Sequence, residues 1–208
     1  MKLNYKRTIL VGFAFFLISA FWQAYDTIVP LILTNQFNME QTYSGIIMAL
    51  DNIFAVVLLP IFGTLSDITM TKFGKRTPYI TVGTVLAAFF LILLGFTPKL
   101  ILFILVLLAC LLSMATFRPP AVALMPDVTV KPLRSKGNAI IYLMGTAGGM
   151  IVLGLGIVFK TSTAGKTDFS VYLITVSVVM VVALVVFLLT VKEPLWSAEA
   201  EAENEKLD

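Results

Sequence analysis

Apolar residues in this chain come in long runs separated by short basic or polar breaks. Four runs carry no charge: Thr77–Pro98, Leu100–Phe117, Gly137–Phe159 and Phe169–Val191. Two more, Thr8–Leu33 and Gln41–Ser66, hold one aspartate each, Asp26 and Asp51. A helix rising about 1.5 Å per residue needs about 20 apolar residues to cross a hydrocarbon core of about 30 Å. The pattern therefore predicts six transmembrane helices, over about 8–33, 41–66, 77–97, 100–126, 137–160 and 169–191. The first run is too long for a signal peptide, and no small-residue cleavage site follows its apolar core.

Composition agrees. Hydrophobic residues make up 59% of the 208, and charged residues 13%, against about 25% charged in soluble domains. One cysteine, Cys110, and no histidine exclude a disulfide framework, a multi-cysteine metal site and His-based catalysis. No metal site or cofactor is expected. No nucleophile–base pair lies among the spans, so an enzyme is not expected. The net charge of +3 hides a basic body and an acidic tail, residues 192–208. The bases lie between apolar runs, which points to topology rather than nucleic acid.

Lys2, Lys6, Arg7, Lys72, Lys75, Arg76, Lys131, Arg134 and Lys136 fall on one side of the six spans, and Lys99, Lys160 and Lys166 on the other. Short loops rich in Lys and Arg stay in the cytoplasm, so both termini are expected there. The tail reads as a frayed, solvated helix, with Trp196 at the membrane interface. The third and sixth spans carry nothing more polar than Thr, Ser or Tyr and are expected to face lipid all round. The first, second, fourth and fifth hold the charges, prolines or most glycines and are expected to line an interior. That order repeats after three spans, which suggests a 3+3 repeat.

Asp26 and Asp51 each lie roughly 12–13 Å from the outer end of their helices. Each opposes insertion by about 2.5–3.5 kcal/mol at mid-membrane, so they are candidate site residues. Ser19, Gln23, Asp26 and Pro30 share one helix face, bordered by Trp22. Ser44, Met48, Asp51, Asn52 and Ala55 form a second stripe. Pro30 frees the carbonyl of Asp26. The carboxylates suit a proton, a sodium ion or sugar hydroxyls, and Trp22 or Tyr25 suits stacking on a pyranose; the residues alone leave these open. Arg118 either snorkels or pairs with a carboxylate. Pro119 and Pro120 are expected to break or bend the fourth helix. Gly145, Gly148 and Gly149 read as packing, with Asn138 and Tyr142 in reach of substrate.

The loop segment GTLSDITMTKFGKRTP, Gly63 to Pro78, resembles the major facilitator superfamily signature G-x-x-x-D-R-x-G-R-R. Ile68 and Lys75 depart from it. The segments ALDNIFAVVLLPIFGTLSD and FRPPAVALMPDVTVKPLRSKGNAIIYLMGTAGG resemble glycoside–pentoside–hexuronide:cation symporters, including their sucrose-carrier-like bacterial members, over most of Gly12 to Pro194. The resemblance implies an all-α membrane protein. It would be a six-helix bundle forming one half of a twelve-helix carrier in a bacterial cytoplasmic membrane. It implies H+- or Na+-coupled sugar transport by alternating access, with substrate held against a second six-helix half or a second copy. Melibiose carriers use carboxylates on helices one and two for sugar and cation, which points to Asp26 and Asp51. Gly63, Asp67, Gly74, Lys75 and Arg76 would form a cytoplasmic latch, extended by Asp127 and Arg134. Asp67 is expected to cap helix three and to pair with a base across the loop. The fifth helix lacks the sugar-binding charges of those carriers. The rival reading is a truncated, non-transporting half or a membrane assembly partner.

Overall fold

A computed structural model describes residues 3–159 and 169–207. The lysines expected on the outer side at positions 160 and 166 lie outside the described residues. Six helices are long and apolar enough to cross a membrane, and no strand occurs among the described residues. We number the helices α1 (Tyr5–Leu31), α2 (Gln41–Met48), α3 (Leu50–Ile68), α4 (Thr77–Leu94), α5 (Leu100–Asp127), α6 (Arg134–Val158), α7 (Phe169–Thr190) and α8 (Glu193–Glu205). α2 and α3 together make the second span.

Within lipid, backbone groups must be satisfied inside the helix, and the sequence supplies local help. Asn4 caps α1, its side chain accepting from Arg7 N at 3.2 Å. Thr27, Ser113 and Thr116 turn their hydroxyls onto the carbonyls four residues back, at 2.6, 2.8 and 2.9 Å. Pro30 is answered by a π-helical turn, Ile32–Gln36, a common way to absorb a disturbed ladder. The paired prolines do not break the fourth span: α5 is one helix through Pro119, Pro120 and Pro126. Neighbours on both sides, α3 and α4, hold it in place. The second span breaks where no proline or glycine stands, at Ala49.

α1 is the centre of the bundle, packed on α5, α6 and α7. Its approach to α6 depends on glycine. A Cβ on Gly148 would lie 2.7 Å from the Phe16 carbonyl oxygen. Gly83 does the same between α4 and α5, where a Cβ would meet Phe117 Cβ at 2.6 Å. α4 and α7 are joined by Ser177 Oγ, which donates to Ala88 O at 3.0 Å. The main packing pattern maps onto itself when α1, α2–α3 and α4 are exchanged with α5, α6 and α7: α1 on α6 becomes α5 on α3, and α4 on α5 becomes α7 on α1. This is the symmetry of a 3+3 repeat.

Two expectations about faces are corrected. The third and sixth spans are not free all round; Ile80, Thr84, Ala87 and Leu91 of α4 and Tyr172, Val176, Met180 and Phe187 of α7 are buried. The second span lines no closed interior: none of its most apolar stretch is buried. Among the later spans α3 leans mainly on α5, with Gly63 facing Pro119, and leaves Ile53, Val56, Val57 and Ile61 exposed.

Candidate functional site

Two polar regions stand out, one at the end carrying both termini and one at mid-bundle. At the first, Arg76 ends the short α3–α4 loop and is only 4% exposed. Its Nε donates to Asp127 Oδ2 at 2.8 Å and its Nη1 to Ser66 Oγ at 2.5 Å, while Nη2 bonds Asp67 Oδ1. Lys75 Nζ adds a contact to Asp127 at 3.4 Å. Burial works against the Arg76 charge. The bonds to Asp127 and Asp67 outweigh it and hold the guanidinium above its ordinary value.

Glu193 completes this end and is 1% exposed. Its Oε1 accepts from the N–H groups of Lys75 and Arg76, both at 2.8 Å. Its Oε2 accepts from Thr77 N and Thr77 Oγ1, both at 2.7 Å. The first N–H groups of a helix lack internal partners and attract anions. Glu193 therefore caps α4, and as the first residue of α8 it also sits at that helix's positive end. Gly74 makes room for it: φ is +107°, and a Cβ would collide with the carboxylate. The tail is thus docked, not frayed. Trp196 is buried under Arg7, 5.2 Å from its ring centre, Arg7 pairs with Glu199, and Asn204 accepts from Lys131 N at 2.8 Å.

At mid-bundle a cavity of about 540 Å³ opens between α1, α5 and α6. That volume is in the range of small-molecule sites, about 300–1,000 Å³. Ser19, Trp22, Gln23, Asp26, Arg118 and Tyr142 are among its lining. Arg118 lies over the Trp22 ring at 5.4 Å. Neither Asp26 nor Arg118 has an ion pair or side-chain hydrogen bond among the described residues. A second gap, about 20 Å³, lies between Trp22, Asp51, Met114 and Arg118.

The sequence profile of the Major Facilitator Superfamily matches residues 11–207. The chain belongs to the major facilitator superfamily. A comparison with curated proteins finds no match. Membership makes the bundle a membrane transporter fold, and each expected site residue can be placed on that fold.

In this superfamily member the cavity gathers Trp22, Gln23, Asp26, Arg118 and Tyr142. Gln23 Nε2 donates to Thr27 Oγ1 at 3.1 Å. Tyr142 is exposed at the rim, edge-on to Phe15. Asp51 lines the small gap and not the larger cavity, and exposed Asn52 donates to it at 2.8 Å. Asn138 is exposed and outside the cavity lining. Tyr25 does not reach the cavity: its ring is 0% exposed and stacked on Phe21, so no sugar can stack there.

At the termini end the structure joins Gly74, Asp67, Lys75, Arg76 and Asp127, while Gly63 lies apart, facing Pro119 of α5, where a Cβ would make only an ordinary contact at 3.8 Å. Two roles differ from expectation. Asp67 pairs with a base of the loop, Arg76, as expected, but leaves the capping of α4 to Glu193. Arg134 stays out of the charge network and donates to the carbonyls of Thr129 and Pro126, at 3.3 and 2.8 Å, where a cation suits the C-terminus of α5. Sequence reasoning missed Glu193 and Ser66. The one signal for Glu193 was an acid directly before Pro194, where a new helix starts.

Proposed function

We propose that this chain is one half of a cation-coupled sugar or glycoside symporter working by alternating access, similar to glycoside–pentoside–hexuronide:cation symporters. The observation that carries the reading is the pair of opposite charges, Asp26 and Arg118, lining one open cavity with no ion pair among the described residues. An unpaired intramembrane charge is costly unless water or a ligand meets it. Sugar hydroxyls would donate to Asp26 and accept from Arg118 and the Gln23 amide. Trp22 would hold Arg118 in place through its ring. The coupling ion, H+ or Na+, would be taken by Asp26 or Asp51. The substrate would lie between this half and a second six-helix half or a second copy, facing the exposed side of α2–α3. The Asp67–Lys75–Arg76–Asp127 cluster, with Glu193, would latch one state closed on the cytoplasmic side. The basic loops favour placing both termini there, in a bacterial cytoplasmic membrane.

The test is uptake into vesicles holding this chain with a complementary half, against a panel of sugars, under imposed H+ or Na+ gradients. Gradient-driven uptake of one sugar is expected, and lost in Asp26→Asn and Asp51→Asn. If both variants transport like the parent, the site assignment is wrong.

A further inference from the structure

Glycine in the middle of a helix is destabilising, and along the α1–α6 seam close packing offsets it. A Cβ on Gly12 would meet Met144 at 2.6 Å, one on Gly145 would meet Ser19 Oγ at 2.8 Å, and one on Gly148 the Phe16 carbonyl oxygen at 2.7 Å. Gly149 is not packed in this way. It is half-buried and lines the cavity, and a Cβ there would meet only Gln23 Oε1, at 3.7 Å. Gly45 and Gly154 also have nothing within 4 Å of a Cβ, but neither lines this cavity. The missing side chain at position 149 leaves a notch in the cavity wall, with Gln23 across from it.

What faces the notch is an acceptor. The single hydroxyl proton of Thr27 goes to the Gln23 carbonyl oxygen at 2.6 Å, so Thr27 Oγ1 can only accept from the Gln23 side chain. Gln23 Nε2 donates to it at 3.1 Å. That fixes the amide, with Nε2 on Thr27 and Oε1 turned to α6. Oε1 accepts no hydrogen bond among the described residues. A hydroxyl oxygen bonded to it would sit about 2.5–3.0 Å away, in space that a Cβ on residue 149 would crowd. Gln23 shares a face of α1 with Asp26, so a group held here belongs to a solute that also reaches the charged part of the cavity.

We propose that Gln23 and Gly149 form a subsite for one hydrogen-bond donor of the substrate, a hydroxyl if the substrate is a sugar: the donor bonds Gln23 Oε1, and its heavy atom fills the notch at Gly149. Gly149 is then a specificity-determining residue, because a side chain there displaces the bonded group. The subsite rests on the cavity being the transport site, but not on the solute being a sugar. Two measurements on the purified chain in lipid nanodiscs test it. The first treats Gly149→Cys with methanethiosulfonate ethylammonium. Cys110, the one native cysteine, is fully buried and serves as the silent background. Fast labelling of Gly149→Cys is expected; labelling no faster than that of the parent means the notch is closed and overturns the proposal. The second reads binding of sugars, alditols and primary amines by thermal shift. Whatever solute the parent binds should bind Gly149→Ala and Gln23→Met about tenfold more weakly or worse, while the ligand-free midpoint of Gly149→Ala stays at or above that of the parent. Binding within about twofold of the parent in either variant overturns the subsite, and leaves the sugar reading standing if the solute is a sugar. A parent that binds an alditol or an amine but no sugar defeats the sugar reading alone, and the same ratios then decide the subsite. A parent that binds none of the three classes overturns the subsite.

Discussion

At the end carrying the termini, Arg76 touches Ser66, Asp67 and Asp127, and Glu193 accepts four hydrogen bonds. At mid-bundle, Asp26 and Arg118 face one cavity with no ion pair among the described residues. The same residue types are consumed by structure in one region and left available in the other. A buried charge with every partner in place holds helices together, and removing one partner leaves the rest stranded. A charge facing an open cavity contributes little to the fold and is free to meet a ligand. Stability and transport should therefore separate by region.

Arg76→Ala should show the largest effect. It strips the nearer of two cations from Asp127, leaving it Lys75 at 3.4 Å, and takes the Arg76 donor from Ser66 and Asp67, a loss of about 3–5 kcal/mol for a broken buried pair. The thermal midpoint should fall by about 2–4 °C for each kcal/mol. Arg76→Lys keeps the charge but not the three-way fork, and should recover only part of the loss. A midpoint within a degree of the parent for Arg76→Ala would erase the contrast between the regions.

Glu193→Ala comes next. It uncovers the N–H groups of Lys75, Arg76 and Thr77 at once and undocks the start of α8. Loss of a cap costs about 1 kcal/mol, and a charged multiple acceptor more, so about 2–3 kcal/mol is expected. Amide hydrogen exchange at residues 75–77 should speed up well beyond that elsewhere in α4. Uniform exchange along α4 would mean the cap is not holding that end.

Much of this bundle was legible because lipid leaves so few choices. An uncharged run near 20 residues must be a helix there, and the basic loop motif announced Arg76. The break at Ala49 was not legible, because no proline or glycine marks it. Nor was the docking of α8: an acidic, alanine-rich tail reads as solvated, and a glutamate shows no sign of a helix N-terminus more than a hundred residues upstream. The α1 stripe led to Gln23 and Asp26 because helical spacing puts them on one face. Tyr25 was misplaced because spacing gives a face but not which neighbour covers it. Phe21, one turn earlier on α1, stacks on its ring.

Neighbouring glycines on α6 sharpen the comparison at smaller magnitude. Gly148 packs on the Phe16 carbonyl, so Gly148→Ala forces α1 and α6 apart and should cost about 1–3 kcal/mol. Gly149 lines the cavity, and a Cβ there meets only Gln23 Oε1, at 3.7 Å. Gly149→Ala should be neutral or stabilise by about 0.5–1 kcal/mol, the helix cost of glycine. If the two variants melt together, packing does not distinguish the cavity wall from the helix seam.

Asp26→Asn should have the smallest effect on the fold and is the sharpest probe of the cavity. Asp26 is exposed to the cavity and has no ion pair to strand among the described residues, so stability should change by no more than about 0.5 kcal/mol. Asparagine keeps the shape and an acceptor oxygen while removing the charge. Uptake lost at an unchanged thermal midpoint would mean the carboxylate serves the ligand or the coupling ion. A fall in midpoint comparable to that of Arg76→Ala would mean Asp26 is tied into the bundle after all, and that this region too spends its charge on structure.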